Sequence, residues 1–169
     1  MLTRILGAIG VALLAVTLAA CGKDNSETVG KVGVDWTGND IVIEAVEDPD
    51  VKGVVCHVAY FNRSLIDRLQ QGNWFEDPSY SAIDCAASGA VTVGNISTSS
   101  SGDDIFKQQR SIVWKSIRVT RIYDQANNSL VYVAHAREVQ LGSGKMSMSV
   151  VPLNGLNVTW TNGQPGASK

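Results

Sequence analysis

The sequence predicts a mainly β, antiparallel domain, either a sandwich or a strongly curved sheet, with one short helix and a single disulfide. Three observations carry that prediction: a long hairpin pattern over residues 111–139, a β-rich strand pair over residues 41–61, and two cysteines left over in a chain that begins with an export signal. At 169 residues, 44% of them hydrophobic, the chain has the length of one domain and enough apolar material to bury a core.

The first four residues, MLTR, carry one charged side chain, Arg4, and are followed by the uncharged apolar run from Ile5 to Ala20. A charged start and an apolar middle are the parts of a signal peptide. The run is shorter than the roughly 18 to 20 apolar residues that span a bilayer, and it ends at a cysteine without flanking stop-transfer charges, so a permanent transmembrane helix is the weaker reading. Leu18, Ala19, Ala20 and Cys21 resemble the bacterial lipobox, in which small residues fit the signal peptidase and the cysteine sulfur takes a diacylglycerol before cleavage. Residues 1–20 are therefore expected to be removed and Cys21 to be lipidated, with two or three acyl chains giving stable attachment. Gly22 stands where many enteric-type bacteria place an Asp to retain a lipoprotein in the inner membrane. The expected address is the periplasmic face of the envelope, the outer membrane in preference to the inner.

Loss of residues 1–20 removes Arg4 and leaves 13 basic against 16 acidic side chains. A mildly acidic chain without a basic stripe offers no electrostatic footprint for nucleic acid, and that class of partner is excluded. The same expectation names the membrane, through the anchor, as one partner and an envelope protein or glycan as the other.

Residues 21–38 are polar and glycine-rich and read as a lipidated tether, with the domain occupying residues 39–169. Ile41 to Val46 is β-rich, Glu47-Asp48-Pro49-Asp50 supplies turn residues, and Val51 to Phe61 is a second strand. Arg63 to Gln71 places Leu65, Ile66 and Leu69 at helical spacing ahead of Gly72, which gives the one short helix. The next stretch, NWFEDPSYS, reads as a loop leading to Cys85; Ala90 to Gly94 is a short strand candidate, and Asn95 to Asp104 a mobile small-polar loop. SIVWKSIRVTRIYD, QANN and SLVYVAHAREV form the predicted hairpin, central because both its faces carry apolar residues. Ser147 to Leu153 and Leu156 to Trp160 are expected to add the last strands.

With Cys21 committed to lipid, Cys56 and Cys85 remain in a protein that matures in an oxidising compartment, and a disulfide between them is the default inference. There is no CxxC spacing, and His57 would point to the opposite strand face from Cys56, which disfavours a metal site or a redox pair. Closing that loop stabilises a fold by roughly 3 to 4 kcal/mol in the chain-entropy description.

The stretch IVIEAVEDPDVKGVVCHV, the second cysteine in SAIDC, FKQQRSIVWKSIRVTRIYD, SLVYVAHA and SVVPL follow one another in an order and spacing that resemble the CreA family over about residues 39–153. The resemblance implies a small exported protein of Gram-negative bacteria, named for a locus beside a carbon-source-responsive two-component system, and it brings no catalytic residues. Cys56 and Cys85 match the family's cysteine pair. Two departures stand out: the family pattern has an ordinary cleaved signal and a glycine-rich stretch after the first cysteine, whereas this chain has a lipobox and RSLIDRLQQGNW.

Candidate chemistry is sparse, and no catalytic residue, cofactor or metal site is assigned. The acidic cluster Glu44, Glu47, Asp48 and Asp50 lacks calcium-loop spacing and reads as a solvated turn with a structural Asp48. His57 and His135 are the only histidines, and no GxSxG accompanies them. Lys115, Arg118, Arg121 and Arg137 offer a modest basic patch for an anion or glycan headgroup. Trp36, Trp74, Trp114 and Trp160 read mostly as core, while Trp74 with Phe75 makes the best exposed aromatic platform. The candidate binding surface is thus Trp74, Phe75, Arg118 and Arg121. The leading expectation is a non-enzymatic binding or accessory module. A contrasting one is an envelope hydrolase using His57 or His135 with a carboxylate, and a third, resting on the family name, is a small-metabolite sensor.

Overall fold

A computed structural model of the chain describes residues 26–64, 66, 67, 69, 81–105, 117–136 and 145–166. Their strands, in chain order, are β1 (Ser26–Gly33), β2 (Asp40–Glu47), β3 (Val51–Asn62), β4 (Ser81–Val93), β5 (Asp103–Asp104), β6 (Ile117–Asp124), β7 (Ser129–Ala136), β8 (Met146–Pro152) and β9 (Val158–Trp160). They form a five-stranded sheet of order β1-β2-β3-β4-β9 and a four-stranded sheet of order β5-β6-β7-β8. The mainly β, disulfide-linked domain predicted from the sequence is the one observed.

Period-two alternation decides what each strand buries. In the first sheet Val42 and Val46 of β2, and Val54, Cys56, Val58 and Tyr60 of β3, turn inward. In the second, Ile117, Val119 and Tyr123 of β6 and Leu130, Tyr132 and Ala134 of β7 do the same. These inner faces meet in one apolar cluster. Cys56 and Cys85 stand directly opposite each other in the β3–β4 register and form the disulfide within that cluster. Beside it, the Ser149 hydroxyl of β8 accepts the backbone N–H of Cys85 at 2.9 Å, tying one sheet to the other.

The hairpin expected over residues 111–139 is β6 and β7 in its described part, and its two strands lie in the middle of their sheet. The β3–β4 pairing slips between Lys52 and Val54. Gly53 there has φ +87°, and a Cβ at that position would stand 2.3 Å from the carbonyl oxygen of Ala90, so only glycine fits the irregularity.

Four segments depart from the expectation. Ser26–Gly33, read as part of a tether, is β1 and pairs antiparallel with β2. None of its residues is buried, so it lacks the apolar periodicity by which a strand is recognised. The short strand expected at residues 90–94 is the end of the 13-residue β4. The small-polar loop ends in β5, held by the Asp103 carboxylate accepting the Ser97 N–H at 2.8 Å. Finally, β9 leaves the second sheet and pairs parallel with β4, while its Trp160 reaches back to Tyr123 with ring centroids 5.2 Å apart.

Of the predicted helix, Ile66, Asp67 and Leu69 are described and helical. The Ser64 hydroxyl caps its start by accepting the Asp67 N–H at 3.2 Å, and the Ser64 N–H donates to Asn39 Oδ1 at 2.9 Å.

Candidate functional site

Several residues singled out from the sequence, namely Cys21, Trp74, Phe75, Lys115 and Arg137, lie outside the described residues. The two arginines of the expected basic patch do not form one. They are three positions apart on β6, an odd spacing that sends them to opposite faces of the sheet. Arg118 faces outward and donates to Asp104 at 3.0 Å. Arg121 is 1% exposed and points into the sandwich.

There it meets three carboxylates. Arg121 Nη1 donates to Asp48 Oδ1, and Nη2 donates to Asp103 at 2.7 Å and to Asp50 at 3.3 Å. Asp48, also buried, accepts the backbone N–H groups of Asp50 and Val51 at 2.9 and 3.2 Å, and its second oxygen accepts the Tyr132 hydroxyl at 2.8 Å. Burial opposes the charge on Arg121, but the Asp48 charge and the bonds to Asp48 and Asp103 outweigh it and raise the guanidinium pKa. The Tyr132 hydroxyl is pushed up, first by burial and then by the Asp48 charge. The network joins the β2–β3 turn of one sheet to β5, β6 and β7 of the other. It is structural chemistry, a charge set buried only because every member is hydrogen-bonded.

The remaining acidic residues of that cluster diverge. Glu44 turns inward and accepts the Tyr60 hydroxyl, while Glu47 is exposed. Among the described residues, no group of three or more His, Cys, Asp or Glu is arranged to hold a metal ion.

The histidines sit on opposite sheets. His57 is exposed on β3, opposite Asp84 in the register. His135 engages the Thr120 hydroxyl through Nε2 at 3.2 Å and the Ala136 carbonyl oxygen through Nδ1 at 2.8 Å. The hydrolase expectation pairs a histidine with a carboxylate, whereas the ring nitrogens of His135 meet a hydroxyl and a backbone carbonyl.

A different end of the molecule is apolar and open. At the β1–β2 turn, Asp35 Oδ1 accepts the N–H groups of Thr37 and Asn39 at 3.0 and 3.1 Å and the Thr37 hydroxyl at 2.6 Å, while Oδ2 accepts the Asn39 amide at 2.8 Å. Those bonds, led by the Thr37 hydroxyl and the Asn39 side chain, lower the Asp35 pKa from 3.8 to about 2. The turn is locked by its own side chains, yet its apex, Trp36, is 93% exposed. Val32 and Val34 beside it are exposed as well. Sequence reasoning assigned this region to a tether and its tryptophan to a core. The signal present was DWTGND, an Asp followed by Thr, Gly and Asn, which is turn chemistry with an aromatic at its tip.

Next to this turn, where β3 ends and β4 and β8 begin, lies a groove of about 660 Å³. Ile41 pairs with Phe61 and Ala59 with Ala82, and these four line it together with Tyr60, Ser81, Lys145 and Met146.

Residues 29–156 match the family described as CreA protein. Protein CreA of Escherichia coli strain K12 is 37% identical over 149 residues, covering 83% of this chain and 93% of the relative. The chain belongs to the CreA family. The proteins of the same name from Escherichia coli O6:H1 and O157:H7 align to the same extent, and no solved structure matches. The CreA match begins at Val29, inside β1 and ten residues ahead of the span read from the sequence, so it takes in the Trp36 turn as well as Asp48, Arg121, both bridged cysteines and the groove.

Proposed function

We propose that this CreA-family chain is an envelope lipoprotein, attached through Cys21 on the periplasmic side, whose β domain is a non-enzymatic binding module for another envelope protein. The observation that carries the reading is Trp36: a large aromatic almost wholly exposed, on a turn whose conformation is already fixed by four hydrogen bonds to Asp35. A rigid aromatic anchor loses little conformational freedom on binding, and Trp is among the residues that dominate protein interfaces. The flanking Val32 and Val34 are exposed, and the polar groups of the turn, Asp35, Thr37 and Asn39, are bonded to one another, which favours an apolar protein surface over a sugar. The apolar run ending in Leu18-Ala19-Ala20-Cys21 supports the anchor, and a buried disulfide suits an oxidising compartment.

Proximity cross-linking in intact cells tests the module. A partner captured by the wild-type chain and lost with Trp36→Ala supports it, whereas the same partner captured by both sinks the role given to Trp36. The anchor is tested separately by labelled palmitate, whose incorporation should disappear in Cys21→Ala and contradicts the lipoprotein reading if it survives.

A further inference from the structure

The three methionines of the chain are Met1, Met146 and Met148, and the last two share β8. With Ser147 between them, strand alternation sends both side chains to the same face, about 7 Å apart at Cα. That face is outward: Met146 is 78% and Met148 63% exposed, whereas Ser149 and Val151, on the other face, are buried. β8 is the edge strand of the second sheet, so no further strand of that sheet stands beyond the pair.

The neighbouring strand adds a third donor. His135 of β7 lies directly opposite Met146 in the register and diagonal to Met148, which puts the three side chains on one face and within reach of one another. A methionine side chain has three rotatable bonds and can converge from either position. The tautomer of His135 follows from its bonds. A carbonyl oxygen can only accept, so the 2.8 Å contact with Ala136 places the proton on Nδ1. Nε2 then carries the lone pair and accepts the Thr120 hydroxyl at 3.2 Å. An N–H held by a backbone carbonyl, with the lone pair left on the other nitrogen, is how proteins set a histidine for metal coordination.

Two thioethers and an imidazole are soft and borderline donors, a set that selects copper(I) over magnesium or calcium. All three are uncharged, and leaving an ion's charge unneutralised costs least when it is monovalent and on an exposed face. Arg118, opposite His135 on the other side, is matched by Asp104 at 3.0 Å and adds little net charge. We propose that Met146, Met148 and His135 Nε2 form a copper(I) site on the outer face of the second sheet. On ligation Nε2 exchanges the Thr120 hydrogen bond for the metal, and the half-buried Thr120 hydroxyl passes to water. No electron is transferred, since the ion is taken up and released as copper(I). The site lies on the other sheet from the Trp36 turn and does not depend on the protein-binding role given to it.

The test uses the purified full-length chain in amphipol with Cys21→Ser, which leaves Cys56 and Cys85 in their bridge and no free thiol to compete. Copper(I), added anaerobically as its acetonitrile complex, is titrated against bicinchoninate, and one ion per chain should be retained. Losing even an outer partner of a metal ligand costs about 10- to 100-fold in affinity, so Met146→Leu, Met148→Leu and His135→Gln should each weaken retention at least about tenfold. The leucine variants keep an apolar side chain at an exposed position and should melt as the parent does. Thr120→Val removes the hydroxyl that competes for Nε2 and should bind at least as tightly. With silver(I) as the probe, NMR should show the methyl signals of Met146 and Met148 shifting while that of Met1 stays, together with a shift of His135 Nε2 and a proton kept on Nδ1. Failure to retain copper(I), or retention unchanged in the double leucine variant or in His135→Gln, overturns the site. Weaker binding by Thr120→Val overturns the exchange at Nε2, and displacement of copper(I) by equimolar zinc(II) overturns the assignment to a soft monovalent ion.

Discussion

The two ends of the first sheet treat exposure in opposite ways. At the β2–β3 turn the sequence spends charged residues and hides them: Arg121, Asp48 and Tyr132 are buried and bonded to one another. At the end where β1 turns into β2 and where β3 stops, it spends apolar residues and shows them: Trp36, Val32, Phe61 and Met146 face water. Burying charge and exposing hydrocarbon both work against folding unless something offsets them. At the charged end the offset is visible in the hydrogen bonds. At the apolar end Trp36 and Val32 have no comparable cover among the described residues, and that asymmetry supports the proposal of structure at one end and binding at the other.

The comparison is broken most directly by Arg121→Met. Removing the guanidinium leaves Asp48 buried with an uncompensated charge, and chemical denaturation should show a loss of about 3–5 kcal/mol. A change below 1 kcal/mol would mean that the network is not a clamp. Reduction of Cys56–Cys85 should cost roughly 3–4 kcal/mol in the chain-entropy description, measured as a shift of the denaturation midpoint with and without reductant. Protein matured in the periplasm and left unreduced should show no reactive thiol at either position; labelling of both would contradict the bridge.

Tyr132→Phe removes one bond to the buried Asp48 carboxylate and should cost about 1–3 kcal/mol. Because the Tyr132 pKa is raised above its ordinary 10.0, its contribution is complete below pH 10 and declines as pH rises beyond that value. Stability measured above pH 10 should therefore fall more steeply in the wild type than in the phenylalanine variant. The smallest effect belongs to the exposed turn. Asp35 is held to about 2, so the order it gives the turn is complete above pH 3.8 and is lost as pH falls toward 2. Trp36 fluorescence followed over that interval should change in the wild type and be flat in Asp35→Asn.

The sequence conveyed the inward-facing part of this fold well and the outward-facing part poorly, for one physical reason. Strands such as β3 and β6 alternate between core and water, and that alternation is written in their residues. β1 buries nothing and leaves no such record. The same blindness grouped Arg118 with Arg121 wrongly: as residue types both look like surface charge, and only the partners Asp48, Asp50 and Asp103, distant in the chain, make one of them an interior group. Cys56 and Cys85 were legible as a pair because compartment and cysteine count suffice to join them. The groove was not legible, since Ala59 and Ala82 matter through being opposite each other across two strands, and register is a property of the fold.

The division of labour between the two ends is tested most directly by one variant measured twice. Trp36→Ala should leave the melting temperature within about 0.5 kcal/mol equivalent of wild type, because an exposed side chain contributes little to folding, and should abolish capture of the envelope partner in intact cells. A variant that is destabilised by several kcal/mol, or that captures the partner as well as wild type does, would contradict the assignment of binding to the apolar end.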